Sequence, residues 1–501
     1  MTPLESCEIR ELETAFIGGS DEKGYLLMHR AGYFASAVIN SSLSGFHRAV
    51  LLAGKGNNGG DALVVARYLQ LPCVIYSVCA KNDYRGEAAL AVRDLPDDIP
   101  YFQRDELFPS DFLPGDIIID GIFGIGFKGS TVSGRERSFI ASANASGLPV
   151  VSLDVPSGLN LTDRTAADVS IKAAATLMFG AVKRALLAPH LMRMCGKLRF
   201  LDIGLPAVRE ESEQCYTGNE AYCDVVHTPF EAHKNSRPRV LISAGCRNYQ
   251  GAAKLNLLAA MRSGAGLVRL ITSPGDNSGV PLAGIVIRCA SDDDVSYPEN
   301  ALSDNFSLYE KSDVLLAGSG WGNAGAKLLA DVLKFPRTIV MDADALNALS
   351  RHPEVWSYNS NAVLTPHAGE AERLANAFGV SVESDRRKFA LSLARKLNCV
   401  VVLKGPGTVT ASPDGEVWVN SSGCSALATA GSGDVLAGVI ASSVAEKGSS
   451  STLCRRAAYG VWVHGMAGEL VSGGVIADDL PEAVGKVTAN LKNKKVFGLN
   501  L

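Results

Sequence analysis

The sequence predicts two α/β domains in succession, the first a Rossmann-like, doubly wound sheet. Three observations lead there. Short apolar runs of strand length alternate with helix-like segments through both halves of the chain. These runs are continuously apolar rather than alternating, which marks strands covered on both faces and hence a largely parallel sheet. The 501 residues exceed what one ordinary core serves, and 47% hydrophobic residues can fill more than one.

In the first half the expected strands are 48–53, 73–78, 116–120, 150–154 and 198–202, with helices over 61–70 and 86–93 between them. Asp120, Asp154 and Asp202 each end one of these runs. Ligands of open α/β sheets collect outside the carboxyl ends of strands, so these acids are the first candidates for a site. A polar stretch over about 207–234 then interrupts the alternation and reads as a connection, giving domains at 1–215 and 222–501. The pattern restarts with strands at 239–243, 267–271, 314–317, 338–342, 362–365 and 400–403, and a helix over 252–262.

Charge and cysteine usage exclude several classes. Lys and Arg total 48 against 52 Asp and Glu, without a long basic run, so nucleic acid is not an expected partner. The 11 cysteines are odd in number and lack Cys-x-x-Cys spacing, which argues against a disulfide framework or a zinc site and fits a reducing cytoplasm. The N-terminus has neither a basic nor an apolar leader region, and no apolar stretch reaches the roughly 18 residues of a membrane span.

The first phosphate-handling signature is Gly54-Lys55-Gly56-Asn57-Asn58-Gly59-Gly60-Asp61, directly after an apolar run. A glycine-rich turn feeding a helix N-terminus favours an anion, and Asn and Asp oxygens suit a hard cation. Gly59 and Gly60 are expected to bring the backbone to a ligand or to adopt positive φ. Taken singly, such a turn is simply a well-capped helix start. Two further loops make it specific: Asp120-Gly121-Ile122-Phe123-Gly124-Ile125-Gly126-Phe127-Lys128-Gly129 and Asp154-Val155-Pro156-Ser157-Gly158.

With Ala173–Gly180 and Lys183, these segments resemble the epimerase domain of the NAD(P)H-hydrate repair family over roughly residues 1–215. The resemblance implies a potassium ion held by Asn58, Asp120 and Ser157. It also implies hydrate contacts from Asn57, Asn58, Gly59, Gly60 and Asp61, from Gly124, Ile125, Gly126, Phe127, Lys128, Gly129 and Ser130, and from Asp154, which is also the implied catalytic group. Ala62 departs from the family, which more often has a third glycine there; Ala is a strong helix former and suits the start of the next helix.

The second signature is Gly431-Ser432-Gly433-Asp434, opening another apolar stretch. Three more segments follow predicted strands: Lys404-Gly405-Pro406-Gly407-Thr408, Thr365-Pro366-His367-Ala368-Gly369-Glu370 and Gly318-Ser319-Gly320-Trp321-Gly322. No Walker lysine motif is present, which disfavours a P-loop enzyme. Asp434 instead stands beside an anion-binding turn, where a carboxylate can take a hydroxyl proton as oxygen attacks phosphorus.

This half resembles a ribokinase-like α/β protein, specifically the ADP/ATP-dependent NAD(P)H-hydrate dehydratase, over about residues 225–501, including His233-Lys234 and Gly245–Ala253. The resemblance implies hydrate contacts from Ala252, Gly322, His367 and Asp434, with Asp434 catalytic, and nucleotide contacts from Lys404, Gly405, Pro406, Gly407, Thr408 and Gly433. Ser432 stands where the family usually has Thr, which keeps the hydroxyl. Together the halves imply a bifunctional enzyme that epimerises R and S hydrates of NADH and NADPH, then dehydrates the S form with ADP and Mg2+. ATP remains open as the co-substrate, and a homo-oligomer is expected. The rival expectation is a ribokinase-like small-molecule kinase carrying a non-catalytic interaction domain.

Overall fold

In the computed structural model the described residues are 1–206, 208, 213–217, 236–274, 284–289, 295–323, 325–445, 451–471 and 475–492. His233 and Lys234 lie outside them. The chain divides into two compact units, one built on residues 1–210 and the other beginning at Glu211.

The first unit holds a seven-stranded sheet, parallel throughout. Its spatial order is Lys197–Leu201, Ala175–Phe179, Val150–Leu153, Asp116–Gly121, Arg48–Ala53, Cys73–Ser77 and Tyr101–Gln103. Chain order reverses between Arg48–Ala53 and Asp116–Gly121, a switch point where adjacent connections leave in opposite directions and open a crevice. Leu51, Leu52, Ile118 and Ile119 are fully buried in these two strands, as continuous apolar runs require. Asp202 follows an edge strand, is exposed and accepts from Gly204 N at 2.8 Å. Asp202 does not line the cleft that opens at the switch point beside the Asn57–Asp61 segment, although its neighbour Ile203 does.

Helix Asn57–Tyr68 begins four residues earlier than the sequence suggests. Gly59 and Gly60 are helical and do not adopt positive φ, so that half of the expectation is not met. Their small size is what matters. A Cβ on Gly59 would stand 1.8 Å from the Gly54 carbonyl oxygen, and one on Gly60 would stand 2.6 Å from Met28 Sδ. Ala62 is fully buried against Gly121, whose missing Cβ leaves room for its methyl group.

The second unit holds a ten-stranded sheet in the order Glu213–Tyr216, Val417–Asn420, Val409–Ala411, Val400–Leu403, Ala362–Leu364, Thr338–Met341, Val314–Ala317, Arg239–Ser243, Leu267–Thr272 and Ile285–Arg288. Only Val409–Ala411 runs antiparallel to its neighbours. The switch point lies between Arg239–Ser243 and Val314–Ala317.

Glu213–Tyr216 corrects the boundary drawn from the sequence. It pairs in parallel with Val417–Asn420, Tyr216 is fully buried, and Glu213 forms a 2.9 Å ion pair with Arg387. The first domain thus ends before residue 213, and the second begins no later. Among the described residues, no helix is long and apolar enough to cross a membrane.

Candidate active sites

The first site is built on the switch point. A cleft of about 460 Å³ opens there, lined by Asn57, Asn58, Asp61, Gly124 to Phe127, and Asp154. Gly59, Gly60, Lys128, Gly129 and Ser130 do not line it. The first two pack inside the helix, and the last three continue the loop outward into solvent.

Asp120 is fully buried beneath the cleft. Its Oδ2 accepts from Ser152 Oγ at 2.8 Å and Ser157 N at 2.9 Å; its Oδ1 accepts from Ser157 Oγ at 2.5 Å and Ile122 N at 3.3 Å. Burial still pushes its carboxyl above the usual carboxylate range. Asn58 Nδ2 donates to Phe123 O at 2.8 Å, while the buried Asn58 Oδ1 has no hydrogen-bond partner. Buried amide oxygens are rarely left so, because an unmet acceptor costs about 1–3 kcal/mol. Asn58, Asp120 and Ser157 therefore converge around Phe123 as a set of oxygen donors with one acceptor still open.

Asp154 follows strand Val150–Leu153 with φ 63, an unusual conformation for a non-glycine residue. Its Oδ1 accepts from Phe179 N at 2.9 Å and from the Lys183 ammonium, which also donates to Phe179 O at 2.6 Å. Lys183 is 1% exposed, and this pairing is what permits a buried ammonium there. Asp61 is partly buried at the cleft wall, and burial followed by the charges of Asp154 and Glu13 pushes its pKa well up. Arg10, Glu13 and Glu87, which no motif flagged, also line the cleft.

The second site stands at the carboxyl ends of the larger sheet. Gly431, at φ 90, turns the chain into helix Ser432–Val444, so the first-turn amides of Gly433 and Asp434 have no preceding helical carbonyls to bond. Asn256 Nδ2 donates to Asp434 O at 2.6 Å and fixes that turn. Burial, then the Asp342 carboxylate, push the Asp434 carboxyl up to about 7.

Lys404 Nζ lies 2.7 Å from Asp342 Oδ1 and 3.8 Å from Glu370 Oε2. Burial works against the Lys404 ammonium, but these carboxylates outweigh it and raise its pKa. A Cβ on Gly433 would stand 3.6 Å from Lys404 Nζ, which places the cation directly over the helix start. Gly405 and Pro406 are exposed, Gly407 is partly exposed, and the Thr408 hydroxyl donates to Gly405 O at 2.9 Å within its own loop.

His367 caps helix Ala368–Phe378: its Nδ1 accepts from Gly369 N at 3.1 Å and Glu370 N at 3.4 Å. Burial and the nearby Lys404 charge lower its pKa, which keeps the ring neutral and able to accept. Gly322 N donates to Asp344 Oδ2 at 2.8 Å, and the Ala252 methyl lies 3.3 Å from where a Cβ on Gly320 would be. The fully buried Trp321 anchors that loop by donating from Nε1 to Ser243 O at 2.9 Å. Sequence reasoning missed Asp342 and Asp344, although Asp342-Ala343-Asp344 ends a strand and Ala343 sits at φ 47.

Comparison with known proteins finds a different family in each half of the chain. A family described as NAD(P)H-hydrate dehydratase matches residues 240–488, and one described as YjeF-related protein N-terminus matches residues 24–185. The chain is 31% identical to the bifunctional NAD(P)H-hydrate repair enzyme Nnr of Coxiella burnetii, covering 96% of this chain and 98% of that one. It is 32% identical to the enzyme of the same name from Moorella thermoacetica, covering 89% and 87%. A solved ADP/ATP-dependent NAD(P)H-hydrate dehydratase from Bacillus subtilis, co-crystallised with ATP/Mg2+, aligns with 56% of this chain and 98% of its own at 25% identity, with a TM-score of 0.43. Identity at this level along nearly the whole length shows that the chain belongs to the family of bifunctional NAD(P)H-hydrate repair enzymes.

Proposed function

We propose that the first domain interconverts the R and S hydrates of NADH and NADPH, and that the second returns the S hydrate to the reduced coenzyme using ADP. The observation that carries the second half is Asp434, a carboxyl with pKa about 7 at a helix N-terminus beneath Lys404. Hydroxide is a poor leaving group. Transfer of the terminal phosphoryl group of ADP to the ring hydroxyl turns it into phosphate, which leaves readily. Asp434 takes the hydroxyl proton as oxygen attacks phosphorus, and Lys404 with the amides of Gly433 and Asp434 balances the charge on the moving phosphoryl group. Elimination of phosphate with loss of a proton from the adjacent ring carbon restores the double bond, leaving AMP and phosphate.

The nucleotide reads onto Lys404–Thr408 and Gly433, where an accompanying Mg2+ would offset phosphate charge, and the hydrate onto Ala252, Gly322, His367 and Asp434. In the first domain, the open Oδ1 of Asn58, the Asp120 carboxylate and the Ser157 hydroxyl fit a hard monovalent cation such as potassium; no nitrogen or sulfur ligand competes. Bound there, potassium supplies a fixed positive charge at the base of the cleft. Asp154, held by Lys183, then faces the hydrate. The cytoplasm is the proposed place of action.

The test is to add the R and S hydrates separately and follow reduced coenzyme by absorbance. S consumption that needs nucleotide, together with R consumption that also needs an intact first site, supports the assignment. A stable phosphorylated alcohol in place of reduced coenzyme would instead identify a kinase.

A further inference from the structure

We propose that Glu13, on the N-terminal helix, is the general acid–base that exchanges the hydroxyl of the hydrate in the first site; this rests on reading that site as an epimerase. Helix Ser6–Ile17 turns Arg10, Glu13 and Ile17 toward the cleft, a spacing of three and four residues that marks one helical face. One turn before Glu13 on the same side of the helix, Ile9 is fully buried and packs with Leu4 and Ala181, which fixes this face against the domain. Pro3–Leu4 pairs in parallel with Val182–Lys183, so the helix starts beside the lysine that holds Asp154. At the cleft, Arg10 Nη2 donates to Ile125 O at 3.0 Å and ties the helix to the loop that forms the rim. Glu13 is thus delivered by a fixed element to a cleft it shares with Asp61 and Asp154.

The chemistry of the hydrate asks for such a group. Water added to the dihydropyridine ring puts the hydroxyl on the carbon next to the ring nitrogen. Epimerisation there requires the C–O bond to break while the nitrogen lone pair forms C=N+, giving a ring cation and water. Glu13 supplies the proton that makes the departing oxygen water. Water then adds to the other face, the C=N+ electrons return to nitrogen, and Glu13 takes the proton back, so no other reactant is consumed. The carboxylates of the cleft favour the cationic ring.

Protonation suits the task. Burial, and next the charge of Asp154, push the Glu13 carboxyl up to about 7; Glu87 acts in the same direction, while Lys183 and Arg10 oppose it. Asp61, also on the cleft, is itself pushed up by burial and by Glu13. A carboxylic acid near neutrality both gives and takes a proton at working pH.

The test is R-to-S exchange by the full-length protein, measured by NMR across pH 5.5–8.5 and corrected for the spontaneous rate. Glu13→Gln is expected to lower kcat about 10²- to 10⁴-fold with KM changed only a few-fold, and to abolish the fall in rate as pH rises through about 7. Glu13→Asp should recover part of the loss and restore the pH dependence. A Glu13→Gln protein that exchanges epimers at the wild-type rate with an unchanged pH profile overturns the assignment of Glu13 while leaving the epimerase reading intact. A wild type that does not exceed spontaneous exchange overturns the reading and the proposal with it.

Discussion

The ammonium of Lys183, almost wholly buried, donates to the carboxylate of Asp154, whose backbone is held at φ 63. The two residues depend on each other. Asp154 neutralises a cation that has no access to water, and Lys183 keeps an acid at a conformation that costs on the order of 1–3 kcal/mol.

Removing one partner therefore differs from removing both. Asp154→Asn should destabilise the first domain by about 3–5 kcal/mol, because it leaves an ammonium buried without a counter-charge. Asp154→Asn with Lys183→Met should recover most of that stability but none of the epimer exchange. Thermal unfolding of the isolated first domain, alongside exchange rates, checks both parts. Equal melting temperatures for the single and double variants would show that the pair does not carry this load.

Asp434→Asn should lower dehydration about 10²- to 10⁴-fold and leave epimer exchange unchanged. It should also stabilise the second domain at high pH. The folded pKa of about 7 lies above the ordinary carboxyl value, so the folded state binds the proton more tightly than the unfolded chain does. The stabilising contribution of Asp434 is accordingly fully present below about pH 4 and is lost as pH rises through 7. Melting curves should find the variant more stable than wild type at pH 8, with the difference shrinking toward pH 5.

Epimer exchange should require a monovalent cation. Asn58→Ala removes the one oxygen of the donor set left without a partner, and should weaken potassium dependence without unfolding the helix, whose apolar face it does not supply. Exchange rates in potassium and in a bulky organic cation, compared for wild type and variant, measure this. Equal wild-type rates in the two buffers would take the ion out of catalysis.

The two units were legible as domains because their central strands are continuous apolar runs, such as 48–53 and 400–403. The strand Glu213–Tyr216 was not, since Glu-Gln-Cys-Tyr has no such run and pairs only at the sheet edge. The helix Ser6–Ile17 escaped notice for a different reason: its contribution to the cleft is a periodic face, Arg10, Glu13 and Ile17, rather than a contiguous motif. Glycine-rich loops announced Asp434 and Asn58 but misled about Gly59 and Gly60, where close packing against Gly54 and Met28, not positive φ, demands glycine. Asp342 gave no sequence signal beyond ending a strand, and its partnership with Lys404 arises only when two strand ends meet.

The boundary yields its own prediction. A second-domain fragment beginning at residue 213 or earlier should fold, whereas one beginning at 221 lacks the Glu213–Arg387 ion pair and the buried Tyr216 ring. Losing a buried aromatic of this kind costs about 3–5 kcal/mol. Denaturant midpoints of the two fragments should differ accordingly, and equal midpoints would show that the strand is dispensable.

The most direct measurement gives the full-length protein an equilibrated mixture of both NADH hydrates with excess ADP and Mg2+ in potassium buffer. Absorbance of the dihydronicotinamide ring and release of phosphate are followed together. The account predicts complete return of reduced coenzyme from both epimers, with one phosphate and one AMP formed for each. Recovery that stops at the S fraction, or a stable phosphorylated product without recovered absorbance, would contradict it.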